Sequence, residues 1–307
     1  MSSLRLKRIK KINVCKFRMV GDFNMVKGLK GNRGIPVYMG ERGIFHKDNK
    51  LNELTNKEWL QFTKSWFIHY PKARNDTEIL HPAKFPESLA KQFIQFFTKP
   101  KQLVLDPFLG TGSTLVACNE SGRKGIGIEL LPKYAEIAKK RAKGQKVITG
   151  NTLDIAKIWK KENLPKVDYI FTSPPYGPML NKKIGEIQKK RRAAYLDTNY
   201  SSDKDDLANS SSYEEFVSKL VEVFTKTKTI LNQKAYLTIV LQNYIDGKEL
   251  RTLAWDVAKQ LSAIYSFKGE RLWLQDNKSL LPYGYRFSFI PNIHHHYCLI
   301  FRNDKNE

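Results

Sequence analysis

Ser173-Pro174-Pro175-Tyr176 stands directly after the apolar run 167–172. An apolar run that stops at two prolines reads as a buried strand whose carboxyl end opens into a stiff turn, because proline fixes φ and supplies no backbone donor. In open α/β sheets ligands bind at that edge. The prolines aim the Ser173 and Pro174 carbonyls in one direction, and Tyr176 sets an aromatic face beside them. Such a turn suits a flat ring carrying an amine, whose protons oxygen acceptors can take while the tyrosine stacks on the ring. The bland alternative is a plain strand exit or a polyproline ligand.

A second segment upstream narrows the choice. Residues 103–114 read as a short apolar strand ending in Asp106, then Pro107 and Phe108, a Gly110-Thr111-Gly112 turn, and a helix start at Ser113 and Thr114. The glycines allow close backbone approach to a cofactor, and the free amides of a helix start attract an electron-rich group. Leu115 replaces the third glycine of a dinucleotide fingerprint and the turn carries no lysine, so neither a nicotinamide site nor a Walker loop is expected. A further strand, 125–129, ends in Glu129, an acid placed to meet ribose hydroxyls. Another, 147–150, leads to Asn151 and Asp154, polar groups able to reach an adenine amine. All these strand ends fall on one edge of one sheet.

Taken together, these segments resemble the S-adenosylmethionine-dependent DNA amino-methyltransferases, which act at cytosine N4 or adenine N6. The resemblance covers most of residues 51 to 302. It implies an α/β fold of class I methyltransferase type, a Rossmann-like, mostly parallel sheet ending in an antiparallel hairpin. In its terms Ser173, Pro174, Pro175 and Tyr176 are catalytic. S-adenosylmethionine falls to Asp106, Pro107, Phe108, Gly110, Gly112, Ser113, Thr114, Glu129, Leu130, Asn151 and Asp154. A separate cofactor segment is matched by His81, Pro82, Phe85 and Pro86, with Leu89, Phe93, Phe96 and Phe97 behind it. Serine in the first catalytic position goes with cytosine N4 more often than with adenine N6. The implied role is site-specific modification of duplex DNA beside a restriction endonuclease, with a homodimer as one arrangement. An RNA guanine-N2 methyltransferase is the rival outside DNA, and a basic nucleic-acid-binding protein with an inactive fold is the non-enzymatic rival.

The chemistry asked of the turn is modest. An exocyclic amine is a poor nucleophile until acceptors draw its protons out of plane, and Ser173 Oγ with the Pro174 carbonyl are the expected acceptors. No general base of shifted pKa is required, so positioning and oriented dipoles carry the rate. A base inside a duplex must first be flipped out, with Tyr176 stacking on it.

Composition agrees. The 307 residues are 41% hydrophobic, enough for a full core, and 53 basic against 30 acidic residues give a net charge of +23. A polyphosphate is the natural partner of that field, and lysine-rich coding bias is the dull alternative. No apolar run is long enough to span a bilayer and no secretory leader opens the chain, so a cytoplasmic protein without membrane contact is expected. Cys15, Cys118 and Cys298 are too scattered for a zinc site or a disulfide frame and read as buried thiols.

Around the site, residues 1–50 read as a basic arm and 51–307 as the methyltransferase domain. Within that domain 177–212 is the expected DNA-contacting loop, carrying Lys182, Lys183, Lys189, Lys190, Arg191 and Arg192. Since the chain ends shortly after its last strand, target specificity is expected in that loop, in the arm and in 275–293. The pattern predicts helices over 55–68, 213–231 and 249–261, with Trp59 and Trp66 in the core, and strands over 236–241, 271–274 and 297–301. His294, His295 and His296 alternate faces and cannot share a metal; His295 or His296 is expected at the base pocket.

Overall fold

The computed structural model describes residues 36–70, 85–176, 206–247 and 249–304. His81, Pro82, most of the N-terminal arm and the six basic residues of the 177–212 loop lie outside them. Strands β1 (Pro36–Tyr38) and β2 (Ile44–His46) pair as a hairpin, followed by helix α1 (Asn56–Phe62), strand β3 (Trp66–Ile68) and helix α2 (Glu87–Phe97). The chain then alternates: β4 (Leu103–Asp106), α3 (Ser113–Ser121), β5 (Lys124–Glu129), α4 (Pro132–Arg141), β6 (Lys146–Thr149), α5 (Ile155–Lys161) and β7 (Val167–Thr172). It closes with α6 (Tyr213–Thr227), β8 (Leu231–Leu241), the β9 (Tyr244–Asp246) and β10 (Glu249–Arg251) hairpin, α7 (Leu253–Leu261), β11 (Ser266–Leu274) and β12 (His295–Arg302).

Eight strands form one sheet in the order β3-β11-β12-β8-β7-β4-β5-β6. The run from β6 to β8 is parallel, whereas β12 is antiparallel to both β8 and β11. This is the expected class I methyltransferase sheet with its closing antiparallel hairpin. The chain steps from β4 out to β6 and returns to lay β7 against the free side of β4. That reversal opens a crevice at the carboxyl ends of β4 and β7, where open sheets bind ligands.

Period-two alternation decides which side chain faces which layer. Leu103, Leu105 and Ile170 point to a layer built on Phe216, Leu220, Val223 and Phe224 of α6 and Val257 and Leu261 of α7. Val104, Tyr169 and Phe171 point the other way, onto Leu89, Phe93, Phe96 and Phe97 of α2. Arg271 of β11 is buried over the rings of Phe62 at 4.0 Å and Phe67 at 4.4 Å, with Nε donating to the Lys64 carbonyl at 2.9 Å. Cys118 and Cys298 are buried free thiols. Among the described residues no helix is long and apolar enough to cross a membrane.

All three predicted helices are shorter than expected, the one over 213–231 giving way after Thr227 to the 3-10 turn Lys228–Ile230. The capping box at Thr55 and Glu58 forms, but α1 stops at Phe62, and Trp66–Ile68 pairs parallel to β11. Edge-strand pairing overrides the helical period there, leaving Trp66 42% and Leu60 56% exposed, while Trp59 does pack, 4.9 Å from Phe96. Glu249–Arg251 likewise pairs back on β9 around Gly247 at φ +66°, so α7 begins only at Leu253. The predicted strands lengthen to 231–241, 266–274 and 295–302, which places His295 and His296 on β12 rather than before it.

Phe93 is fully buried, 5.0 Å from Phe62 and 5.5 Å from Phe171 between α2 and the sheet. Phe93→Ala is expected to cost about 3–5 kcal/mol of folding stability, read by urea unfolding, because the gap lies between rigid layers that cannot collapse.

Candidate active site

The crevice is organised around a buried carboxylate. Asp106 ends β4 fully buried, its Oδ1 accepting from the Phe108 amide at 3.0 Å and the Thr172 hydroxyl at 2.6 Å, its Oδ2 from the Thr114 hydroxyl at 2.5 Å. Burial pushes its pKa up to about 6 against those three donors. Asp106 thereby ties the glycine turn, the first turn of α3 and the end of β7 to one point.

The glycine turn is held from outside as well. Leu109 and Gly110 donate their amides to the Ile128 carbonyl at 3.0 Å and to Glu129 Oε2 at 2.8 Å. Gly112 precedes α3 at φ +91°, where a Cβ would sit 3.0 Å from the Cβ of Ala138, so both conformation and space demand glycine. Arg141 of α4 reaches across to the Thr111 carbonyl and to Glu87 Oε1, each at 2.5 Å, and locks the turn against α2. On the neighbouring strand, Ser173 Oγ donates to the Val240 carbonyl at 3.1 Å. Its proton is thus committed and its lone pairs remain available to accept. Tyr176 is partly buried, its hydroxyl bonded to His296 Nδ1 at 3.1 Å. The His296 ring stacks on Trp273 at 4.8 Å, and burial, assisted by Lys278 and His295, drives its pKa down to about 3, so it is neutral.

A cleft opens between these elements. Ten expected site residues line it: Phe85, Pro107, Phe108, Gly110, Ser113, Glu129, Leu130, Asn151, Ser173 and Pro175. Asp106, Gly112 and Thr114 sit beneath as its scaffold, Pro86 caps α2, and Pro174 is buried. Asp154 departs from its expected place: the short turn Thr152–Asp154 sends its side chain outward to Lys157 at 2.8 Å, and Thr152 lines the cleft instead. Neither His295 nor His296 is in the lining.

Sequence reasoning missed Asp206 and Leu207, which close the cleft from the stretch before α6, and the apolar wall of Leu109, Ile128 and Leu131. Asp206 lies in a Ser/Asp-rich run without periodicity, so only its acidity marked it. Glu129 accepts from the Gly110 amide and from the Leu131 amide at 2.9 Å, yet burial, reinforced by Asp106 and Asp206, pushes its pKa up to about 7.

Residues 35–140, which include the glycine turn and Glu129 but stop short of Ser173, match the DNA methylase family of the N6/N4 type. The chain is 36% identical over 89 residues to the type II methyltransferase M.BglI of Bacillus subtilis, 29% of this chain and 25% of that protein. It is 32% identical over 117 residues to the DNA adenine methyltransferase YhdJ of Escherichia coli, 38% of this chain and 32% of that one. The solved structure of TrmN from Thermus thermophilus aligns at 10% identity over 74% of this chain and 52% of its own, with a TM-score of 0.46. The chain spans between 21% and 49% of the length of the curated relatives first matched. The matched segments are thus similar to N6/N4 DNA methylases, without a choice between N4 and N6.

Glu129 sets a pH dependence. Its carboxyl titrates near 4.5 in the unfolded chain and near 7 in the fold, so between those values the folded state holds a proton the unfolded state has lost. That carboxyl's own contribution to the stability of the ligand-free protein is expected to be full below about pH 4.5 and to fall on the order of 2 kcal/mol as pH rises to 7. Glu129→Gln should remove most of that slope in thermal melts, leaving the lower window from 3.8 to about 6 that belongs to Asp106.

Proposed function

We propose that this protein is an S-adenosylmethionine-dependent DNA methyltransferase acting on an exocyclic amine, cytosine N4 in first place. One observation carries the reading: Gly110 and Ser173 line the same cleft, from adjacent parallel strands cross-tied through Asp106 and Thr172. A donor loop and an acceptor turn so joined suit a transfer over a single bond length.

The donor set fits the cofactor. Glu129 keeps lone pairs free for ribose hydroxyls beyond its two amide bonds, Phe108, Ile128 and Leu130 supply apolar walls for a flat ring, and the Asn151 side chain stands at the rim. The acidic pair Glu129 and Asp206 suits a ligand that carries positive charge. S-adenosylmethionine held there supplies a methyl group on a cationic sulfur, an electrophile that needs no further activation. Ser173 Oγ, its own hydroxyl hydrogen-bonded to the Val240 carbonyl, accepts a hydrogen bond from the target amine, and the Pro174 carbonyl accepts a second. The one proton released as the N–C bond forms and the C–S bond breaks passes to solvent. Tyr176, steadied by a neutral His296, stacks on the base.

Serine at 173 supports cytosine N4, by the family tendency noted above. Adenine N6 is the second reading, and the match to YhdJ, named as an adenine methyltransferase, favours it. The net charge of +23 supports a polyanionic substrate, with the basic residues 182–192 as its contacts and 51–307 as the catalytic domain. The similarity to M.BglI, a type II methyltransferase, supports a restriction partner.

Nucleosides from the DNA of cells expressing the chain, resolved by mass, test the reading. N4-methylcytosine is expected; N6-methyladenine would transfer the assignment to the second reading, and the absence of both would end it. Ser173→Ala is expected to lower turnover about 10²-fold, as loss of one oriented hydrogen-bonding group does. Cofactor affinity measured by calorimetry should stay within about twofold, since no polar bond of Ser173 reaches the glycine turn.

A further inference from the structure

The connection from β11 to β12, residues 275–294, has a well-bonded main chain and leaves large apolar side chains in water. At its base the Gln275 amide donates to the His294 carbonyl at 2.7 Å, and Gln242 Nε2 to the carbonyls of Ile293 at 3.3 Å and His295 at 2.9 Å. Higher up, the Asn292 side chain bonds both main-chain groups of Leu281, each at 2.9 Å. The Phe287 and Ser288 amides both return to the Gly284 carbonyl at 2.9 Å. Gly284 sits at φ +67°, where a Cβ would meet the Ser288 carbonyl at 2.3 Å, so the tip holds one shape that only glycine permits. On that shape Phe287 and Phe289 are each 91% exposed, Leu280 77% and Tyr285 71%. A cluster of this kind on an ordered loop marks a binding surface.

Topology places the loop at the active edge. Because β12 runs antiparallel to β8, with Tyr297 opposite Leu241 and His295 opposite Leu274 of β11, both feet emerge at the carboxyl ends of β7 and β4. That is the edge where Gly110 and Ser173 meet, and the first residues of β12 include His296, which holds Tyr176. Charge selects the occupant. No acidic residue occurs from Asn277 to His294, while Lys278 and Arg286 are exposed and the Arg286 guanidinium lies 5.7 Å from the Tyr285 ring. Flat apolar side chains with cations and no acids match stacked bases with phosphates on either side.

We propose that residues 280–289 form a wedge that enters duplex DNA next to the target base, with Phe287 and Phe289 occupying the stack that the base vacates. Apolar wedges of Phe, Leu, Ile or Met are how proteins open base steps, and an extruded base leaves a gap that favours such filling. The inference rests on the DNA reading above, and it adds a specificity element that base chemistry alone does not supply.

The full-length protein carrying Phe287→Ala with Phe289→Ala, and a second form with Leu at both positions, test it on unmodified bacterial genomic DNA. The alanine pair is expected to lower kcat/KM for methyl transfer at least tenfold, and the leucine pair to recover most of that loss. Cofactor affinity should be unchanged within twofold and sedimentation without DNA identical, since both rings stand clear of the core. A kcat/KM within twofold of the parent overturns the wedge. So does a parent that sediments as a dimer and an alanine form that sediments as a monomer, which would make a second copy the occupant. Absence of methyl transfer by the parent itself defeats the DNA reading, and that failure is seen before any variant is made.

Discussion

A single buried carboxylate at the end of β4 holds the glycine turn and the Ser173 turn in register. Asp106 is removed from water and surrounded by sheet, which alone would make its charge costly. Three donors from three segments offset that cost: the Phe108 amide, Thr114 at the head of α3 and Thr172 at the end of β7. Each donor belongs to a part whose position matters to the cleft. The glycine turn therefore cannot shift relative to the Ser173 turn without leaving a buried oxygen unsatisfied, a penalty larger than most single contacts contribute. Group transfer between two ligands depends on separations held to fractions of an ångström, and such a junction provides that stiffness where two loops alone would not.

Charge is divided between inside and outside. The chain carries +23 overall, yet the cleft gathers Glu129 and Asp206 at its wall and Asp106 beneath it. The mutual repulsion of these acids helps raise the pKa of Glu129 to about 7, so the empty site sits close to taking up a proton. A cationic ligand relieves that repulsion and a polyanion is kept out of the cleft while being drawn to the surface around it. One molecule thus presents opposite fields inside its cleft and outside it.

Much of this was legible in the residues. Short apolar runs ending in Asp106, Glu129, Thr149 and Thr172, each followed by turn chemistry, fixed a parallel sheet and its active edge, because strand period and turn residues are local signals. The glycine turn was legible for the same reason, as Gly112 answers to a backbone angle that other residues resist. What escaped depended on partners far away in the chain. Trp66–Ile68 reads as a continuing helix until β11 is there to pair with it, and Asp154 reads as a cleft residue until the turn after Asn151 aims it at Lys157. Asp206 gave no local sign at all, since a carboxylate in a polar stretch looks the same whether it meets solvent or a cofactor cleft.

The base side of the site follows the same economy of protons. Tyr176 is bonded to His296, and a histidine beside the Ser173 turn invites the idea of a general base. Stacked on Trp273, buried, and close to the positive Lys278, that ring stays neutral to about pH 3, far too weak a base to take a proton at neutral pH. What the pair does instead is mechanical: Trp273 donates from Nε1 to the His69 carbonyl at 3.0 Å and so fixes the plate against which His296, and through it Tyr176, is aligned. An amine that becomes acidic only as it is alkylated needs acceptors aimed at it rather than a strong base. On the proposed reading, the side chains around Ser173 serve to aim.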